Sequence, residues 1–349
     1  MLNFLTSKGW KELLTYFYNT HLTICMAKNY RWGILGAGRI AEKFCTAIEV
    51  VEGSEVYAVA SRDLSRAKEY AEKFNAKKYY NSYDDLVKDE NVDIVYIATP
   101  HAFHLEQVML CFNNGKAVLC EKPMSLSAEQ SAAMIAAATE KKLFLMEGMW
   151  SRFMPSIEKI LSLIKEDTIG KLQYLSVDFG FTAPYDIEGR LFNKNLGGGS
   201  VLDIGVYAIF LSTLLFGEPS SVKSVSKLSA TGVDEYANMV LQYPAGETSH
   251  LLTSIVFSTS LEAEIIGTAG KIVIQNPWYK ATEFTLCMTD REPQHFSMPH
   301  EANGFEHEIR EVMHCLDENL LQSPKMPHAF TLAVSKIMDE VLGQAGVKF

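Results

Sequence analysis

Apolar positions along the chain follow two different rhythms, and the change comes near Met149. Before it, short unbroken apolar runs alternate with amphipathic stretches. The runs "YRWGIL", "EVYAVA", "VDIVYIAT", "KAVLC" and "LFLMEG" predict buried strands. Between them, "GAGRIAEKFCTAIEVV", "LSRAKEYAEKF", "FHLEQVMLCFNN" and "SAEQSAAMIAAATEKK" keep helical spacing, and Ser127 stands where an N-cap belongs. Such alternation predicts a parallel sheet with helices on both faces, whose ligands bind beyond the carboxyl ends of the strands.

After Met149 the period shortens to two. "KLQYLSVDFGF", "SVKSVSKL", "YANMVLQYP", "HLLTSIVFS" and "LEAEIIGTAGKIVIQ" alternate apolar with polar residues, the last turning as a hairpin through Gly267 to Gly270. Few helices interrupt them, which predicts a mainly antiparallel sheet with one face free to meet a second subunit. "FEHEIREVMHCLDENL" and "FTLAVSKIMDEVLGQA" are helical and close the chain. Residues 1–25 carry no motif and no clean signal peptide, and "MAKNYRWGILGAG" from Met26 is a natural beginning. They read as a dispensable extension.

The strand ends carry the chemistry. "GAGRIA" follows the first strand and opens a helix: Gly36 permits a tight turn, Gly38 lets backbone approach a pyrophosphate, and Ala41 keeps the helix close. Arg39 and Ile40 begin that helix, whose free N–H groups suit phosphate. The second strand ends in Ser61 and Arg62, with Arg66 a turn later, where an NAD enzyme carries an acid. A hydroxyl and guanidinium suit a 2′-phosphate, so NADP is expected over NAD, with Asp63 as the residue that would reverse the preference. In "KAVLCEKPMSL" a core strand delivers Glu121 and Lys122 to the cleft, and Pro123 clamps the turn behind them. In "GGGSVLDIGVYAIFLSTLLFG", Ser200 is the expected N-cap, and Asp203 and Tyr207 share a helix face.

Composition narrows the class. The 349 residues, 48% hydrophobic and 21% charged, suffice for two cores. A net charge of -10 argues against nucleic acid or an anionic membrane as partner, and no run reaches the expected length of a membrane span. Six scattered cysteines without a C-x-x-C pair fit reduced thiols in the cytoplasm. His101 and His104, three apart, read better as polar residues at a helix start than as ligands, and no metal site is expected.

Together "WGILGAGRIA", "CEKPM", "MEGMWSRFMP" and "GGGSVLDIGVY" resemble the Gfo/Idh/MocA oxidoreductase family, from about Arg31 to the C-terminus. "SRDLSRAKEY", "AVLCEKP", "LFLMEGMWSRF" and "LDIGVY" are most similar to its dihydrodiol dehydrogenase branch, which also includes NADP-dependent D-xylose dehydrogenases. The resemblance implies an α/β fold: a doubly wound Rossmann domain over 26–148, then an α+β domain over 149–349 with a large, open-faced, mainly antiparallel sheet used for homodimerisation. It implies hydride exchange between NADP(H) and a secondary alcohol of a sugar or cyclic diol. Lys122, Asp203 and Tyr207 would be catalytic, the ammonium lowering the phenol's pKa. Thr99, Pro100 and His104 would line the nicotinamide ribose, and Trp150, Arg152 and Phe179 would contact substrate. Two alternatives stay open: a non-catalytic nucleotide-binding redox sensor, and a sugar–sugar oxidoreductase with tightly bound NADP.

Overall fold

The computed structural model describes residues 29–349, so the extension and Met26 lie outside the described residues. The first sheet is wholly parallel. Its strands are β1 (Tyr30–Leu35), β2 (Ser54–Ala60), β3 (Lys78–Tyr80), β4 (Ile94–Ile97), β5 (Ala117–Glu121) and β6 (Leu145–Gly148), in the order β3-β2-β1-β4-β5-β6. The order reverses between β1 and β4, which opens a crevice at their carboxyl ends. Helices α1 (Arg39–Ile48), α2 (Leu64–Lys73), α3 (Tyr83–Lys88), α4 (His104–Asn113) and α5 (Ala128–Lys141) make the crossovers. Ser127 caps α5 by accepting from the Gln130 N–H. β3 and α3 escape the hydrophobic pattern because β3, "KYY", is a short edge strand without a buried residue.

α6 (Pro155–Lys165) leads into the second sheet; its amphipathic face was masked in the sequence by the neighbouring strand-like runs. That sheet contains β7 (Leu172–Gly180), β8 (Ser221–Leu228), β9 (Asp234–Gln242), β10 (Thr248–Ser254), β11 (Ala263–Gly267), β12 (Gly270–Ile274), β13 (Glu283–Met288) and β14 (Gln294–Ser297). The order is β14-β13-β12-β11-β7-β10-β9-β8, antiparallel except for the central β7–β10 pair. The edge strand β14 is polar and largely exposed, and so left no apolar signal.

The glycine-rich segment folds in two parts. Val201–Gly205 makes a π turn and α7 (Val206–Phe216) continues as a regular helix. Ser200 is itself helical and does not cap; its hydroxyl donates to buried Asp234, which also accepts from the Val201 N–H. Lys194–Phe216 is, against the sequence expectation, long and apolar enough to cross a membrane, but 83% of its apolar window is buried inside the protein. α7 is a core helix, apolar all round because it is covered all round.

Two C-terminal helices, α8 (Phe305–Asp317) and α9 (His328–Ala345), return to the first domain. α8 packs on α1, with Phe305 edge-on to Phe44, and Phe44 in turn stacks on Tyr96 of β4. α9 packs on α5 and α7. One apolar core therefore runs from Trp32 and Phe44 through Trp150 and Phe305 to Leu175 and Ile265, joining the two sheets. The cleft between them is held by packing, and its lining is drawn from both.

Candidate active site

A cleft of about 640 Å³ opens at the carboxyl ends of the parallel strands. One wall is the β1–α1 turn. Gly36 takes φ +95°, and a Cβ there would meet Thr99 at 2.9 Å, so only glycine fits. A Cβ on Gly38 would meet nothing within 4 Å, and no side chain caps α1. The first-turn N–H groups of α1, Arg39 and Ile40 among them, therefore face open space with the positive end of the helix dipole behind them. This cradle fits a dinucleotide pyrophosphate.

Thr99, Pro100 and Glu121 line the floor. Thr99 is fixed by its hydroxyl donating 2.6 Å to Gln107. Glu121 accepts from the Tyr96 hydroxyl beneath it; burial raises its pKa, opposed by Tyr96 and Lys122. Lys122, joined to Pro123 by a cis bond, crosses the cleft to the second domain. Its Nζ donates 2.6 Å to the Asp203 carbonyl and lies 3.9 Å from the Asp203 carboxylate.

Asp203 is clasped from the other side by Arg190, Nη1 to Oδ1 at 2.5 Å. Burial would raise the Asp203 pKa, but Lys122 and Arg190 together hold it below the ordinary carboxylate value. Lys122 Nζ also sits 4.8 Å from the centre of the Tyr207 ring. The Tyr207 oxygen accepts 2.9 Å from the Trp150 indole N–H, and the ring leans against Phe179 and Tyr279, which stack on each other at 4.1 Å.

The expected lowering of the Tyr207 pKa is not what the site produces. Burial first, then the charge of Glu121, pushes the phenol well above its ordinary value. One of the three Lys122 N–H groups is given to the Asp203 carbonyl, and the ammonium, 4.8 Å from the ring centre, does not outweigh burial.

The family model "Oxidoreductase family, NAD-binding Rossmann fold" matches residues 30–149, and the "GFO/IDH/MocA C-terminal domain" matches 157–273. A trans-1,2-dihydrobenzene-1,2-diol dehydrogenase of Mus musculus is 37% identical over 331 residues, covering 91% of this chain and 98% of the mouse protein. The chain belongs to the Gfo/Idh/MocA oxidoreductase family. It is an NAD(P)-dependent dehydrogenase acting on alcohols. The fold is shared with a 3-ketoreductase from Actinomadura kijaniata crystallised with NADP (TM-score 0.82, 24% identity, 91% and 98% of the two chains). It is shared equally with an aldose-aldose oxidoreductase from Caulobacter crescentus (TM-score 0.83, 24% identity, the same coverages).

Of the residues expected at this family's site, Gly38, Arg39, Ile40, Thr99, Pro100, Glu121, Lys122, Asp203 and Tyr207 line the cleft. Trp150 and Phe179 are buried directly behind Tyr207. Arg152 does not reach it. Its guanidinium turns to Glu158 at 2.8 Å and to the Lys325 carbonyl at 2.9 Å, so it braces the scaffold and does not line the cleft. His104 is also fully buried, with Nε2 2.9 Å from the Thr99 carbonyl and Nδ1 3.1 Å from that of Pro123, tying two cleft loops together from behind. His101, read from the sequence as a polar residue at a helix start, lines the cleft and donates 2.6 Å from Nε2 to the Gly197 carbonyl. Arg190 was missed. It lies in the irregular stretch between β7 and α7, where no periodicity marks a side chain as pointing inward.

At the end of β2, Ser61 is buried and Arg62 exposed, its guanidinium 5.9 Å from the Phe103 ring centre. Asp63 turns away into α2, accepting from the Ser65 and Arg66 N–H groups as the N-cap.

Proposed function

We propose that this dehydrogenase exchanges hydride between NADP(H) and a secondary alcohol, or its carbonyl, on a cyclic dihydrodiol or sugar, with Tyr207 moving the proton. The observation that carries the reading is the meeting of Lys122 and Tyr207 across a cleft that also contains the glycine cradle. The nicotinamide nucleotide, when bound, supplies or accepts the hydride.

The protein's own part is proton handling. Because the Tyr207 oxygen already accepts from Trp150, its O–H is free to point at a substrate oxygen. A phenol with a raised pKa rests protonated, so the proton for carbonyl reduction is in place, on a weaker acid than an ordinary tyrosine. For alcohol oxidation it has to accept a proton as phenolate, and the Lys122 ammonium near the ring favours that charge. Asp203, charged and gripped by Lys122 and Arg190, fixes the ammonium and offers an acceptor to a second hydroxyl. The Phe179–Tyr279 stack backs the Tyr207 ring and holds it facing the cleft.

The mouse relative's name favours the diol. Asp63, spent on capping, leaves Arg62 and Arg66 free for a 2′-phosphate, which supports NADP. The free thiols of the described cysteines suit a reducing, cytoplasmic setting. The open face of the second sheet, where Val225 and Val240 stand exposed on paired strands, would bury itself against a second copy.

The test is a panel of trans-dihydrodiols, D-xylose, other sugars and inositols with NADP+ and NAD+, following nicotinamide reduction. Turnover of a diol or sugar with NADP+ is expected. Nucleotide binding without turnover on any alcohol would establish the sensor instead. Nucleotide absorbance that survives purification, with exchange between two sugars, would establish the bound-cofactor reaction.

A further inference from the structure

We propose that His300, Glu306 and His307 form a site for a divalent transition metal of the zinc type, placed behind the catalytic tyrosine and separate from the cofactor cleft. His300 lies in the connection from β14 to α8, and Glu306 and His307 lie in the first turn of α8. One ligand atom from each falls within 4.8 Å of the other two. His300 Nδ1 is 3.2 Å from His307 Nε2, and that nitrogen is 3.7 Å from Glu306 Oε1.

These separations match a metal's demand. Two nitrogens bound tetrahedrally at about 2.0–2.1 Å from zinc stand roughly 3.3 Å apart. The carboxylate lies within 4.8 Å of both nitrogens and would have to close on them to complete the site. It is favoured in its charged form by four backbone N–H groups, of Glu301, Ala302, Asn303 and Gly304, that donate to its two oxygens, and on ligation Oε1 would exchange one of the two it accepts for the metal.

Two neutral rings facing nitrogen to nitrogen share one proton between them. Metal binding requires that proton to pass to an outward nitrogen, a change of tautomer with no change in ring charge. Two imidazoles and one carboxylate leave a fourth position for water, the donor set that zinc accepts and magnesium or calcium does not.

The place gives the site a consequence. Gly304, inside the same turn at φ +102°, sits so close to Trp150 that a Cβ there would lie 2.8 Å from the indole. Phe305 stacks on Trp150 at 4.7 Å, and Trp150 bonds Tyr207. An ion joining His300 to α8 would therefore clamp the platform on which Trp150 rests.

The experiment is titration of chelator-stripped, full-length protein with Co2+ and then Zn2+. One equivalent per chain is expected, with the intense visible bands of four-coordinate cobalt, displaced by zinc, and a rise in Tm. His307→Gln keeps a hydrogen-bonding partner for His300 but is a poor zinc ligand. It should abolish the bands and weaken zinc by more than about 100-fold, beyond the 10–100-fold typical for loss of an outer-shell partner. The His307 ring is 16% exposed, so this variant should fold, and its Tm without metal checks that. Absence of bands and of any Tm shift with excess metal would overturn the proposal. Bands that survive both His307→Gln and His300→Gln would place the metal elsewhere and overturn it equally.

Discussion

Trp150 donates its indole N–H to the Tyr207 oxygen at 2.9 Å, and this bond fixes which way the phenol proton can point. An oxygen already accepting from behind has its own hydrogen left for the cleft. Under the proposed mechanism the indole would also steady the phenolate needed for alcohol oxidation, since its hydrogen bond lowers the phenol's pKa.

Tyr207→Phe should therefore remove most turnover while cofactor affinity changes little, because the ring that packs against Phe179 and Tyr279 stays. General acid–base groups contribute about 10²–10⁴-fold, and the loss in kcat should fall in that range. Lys122→Ala should lose a similar factor, since it strips the cation from both the tyrosine ring and Asp203. Steady-state kinetics and nucleotide titration check both; turnover within a few-fold of wild type would remove the residue from the mechanism.

The raised phenol pKa has a sign that kinetics can read. Reduction uses the protonated form, which persists through neutral pH, so kcat/KM for carbonyl reduction should stay flat from about pH 6 to about pH 9. Oxidation uses the phenolate and should climb with pH over the same range. Trp150→Phe deletes a donor that stabilises the phenolate, so it should move the oxidative climb to higher pH. An unmoved profile would detach the indole from the proton transfer.

Strand ends were the legible part of this site. Gly36, Gly38 and Lys122 announce themselves because a turn, a helix start and a strand end are local events written in consecutive residues. Asp203 and Tyr207 were legible through one helix face, even though Asp203 falls on a π turn. Arg152 was misplaced because adjacency to Trp150 says nothing of Glu158, six residues on, which takes its guanidinium. The phenol's pKa was misjudged for a related reason: the balance of burial and the Glu121 charge is set by elements that meet only in space. The pair His300–His307 had no recognisable ligand spacing, and only the fold brings His300 back to Glu306 and His307.

Buried acids away from the cleft set a pH dependence of stability. Burial raises Glu147 from an ordinary 4.5 to about 7 and Asp234 from 3.8 to about 6, despite the hydrogen bonds each accepts. Each binds its proton more tightly folded than unfolded. Its contribution is complete below the unfolded pKa and is lost as pH rises through the folded one. The Glu147 contribution to unfolding free energy should thus fall by on the order of 3 kcal/mol between about pH 5 and pH 8, against an opposite trend from buried histidines such as His101 and His104, which burial holds below their ordinary value. Glu147→Gln, which stays neutral, should flatten much of that fall in urea titrations at the two pH values.

If the open sheet face is a subunit interface, the wild-type chain should sediment as a dimer. Val240 stands 49% exposed on that face, beside Lys223 of the neighbouring strand. Val240→Glu would force a desolvated charge into the interface and should shift the protein towards monomer at equal concentration, with its melting otherwise cooperative. A wild-type monomer at every concentration would refute the assignment.

Cofactor choice turns on which of two neighbours faces the adenosine ribose. Asp63 is the only carboxylate in "SRDLSR", and it is occupied: the Ser65 and Arg66 N–H groups hold it as the cap of α2 at 2.9 and 3.3 Å. Among the described residues Arg62 makes no ion pair with a carboxylate; it lies 5.9 Å from the Phe103 ring centre and near Tyr83, so its charge remains available. A 2′-phosphate carries close to two negative charges, and a charge-assisted hydrogen bond to it contributes about 1.5–3 kcal/mol. NADP+ should therefore be preferred by roughly 10- to 100-fold in kcat/KM, at about 1.4 kcal/mol per factor of ten. Arg62→Ala should erase most of that preference by raising KM for NADP+, while NAD+ kinetics stay nearly constant. Asp63→Asn keeps a capping side chain and should leave the preference in place; a gain of NADP+ use in that variant would show that the carboxylate reaches the ribose after all. A wild-type preference for NAD+ would reject Arg62 as the determinant outright.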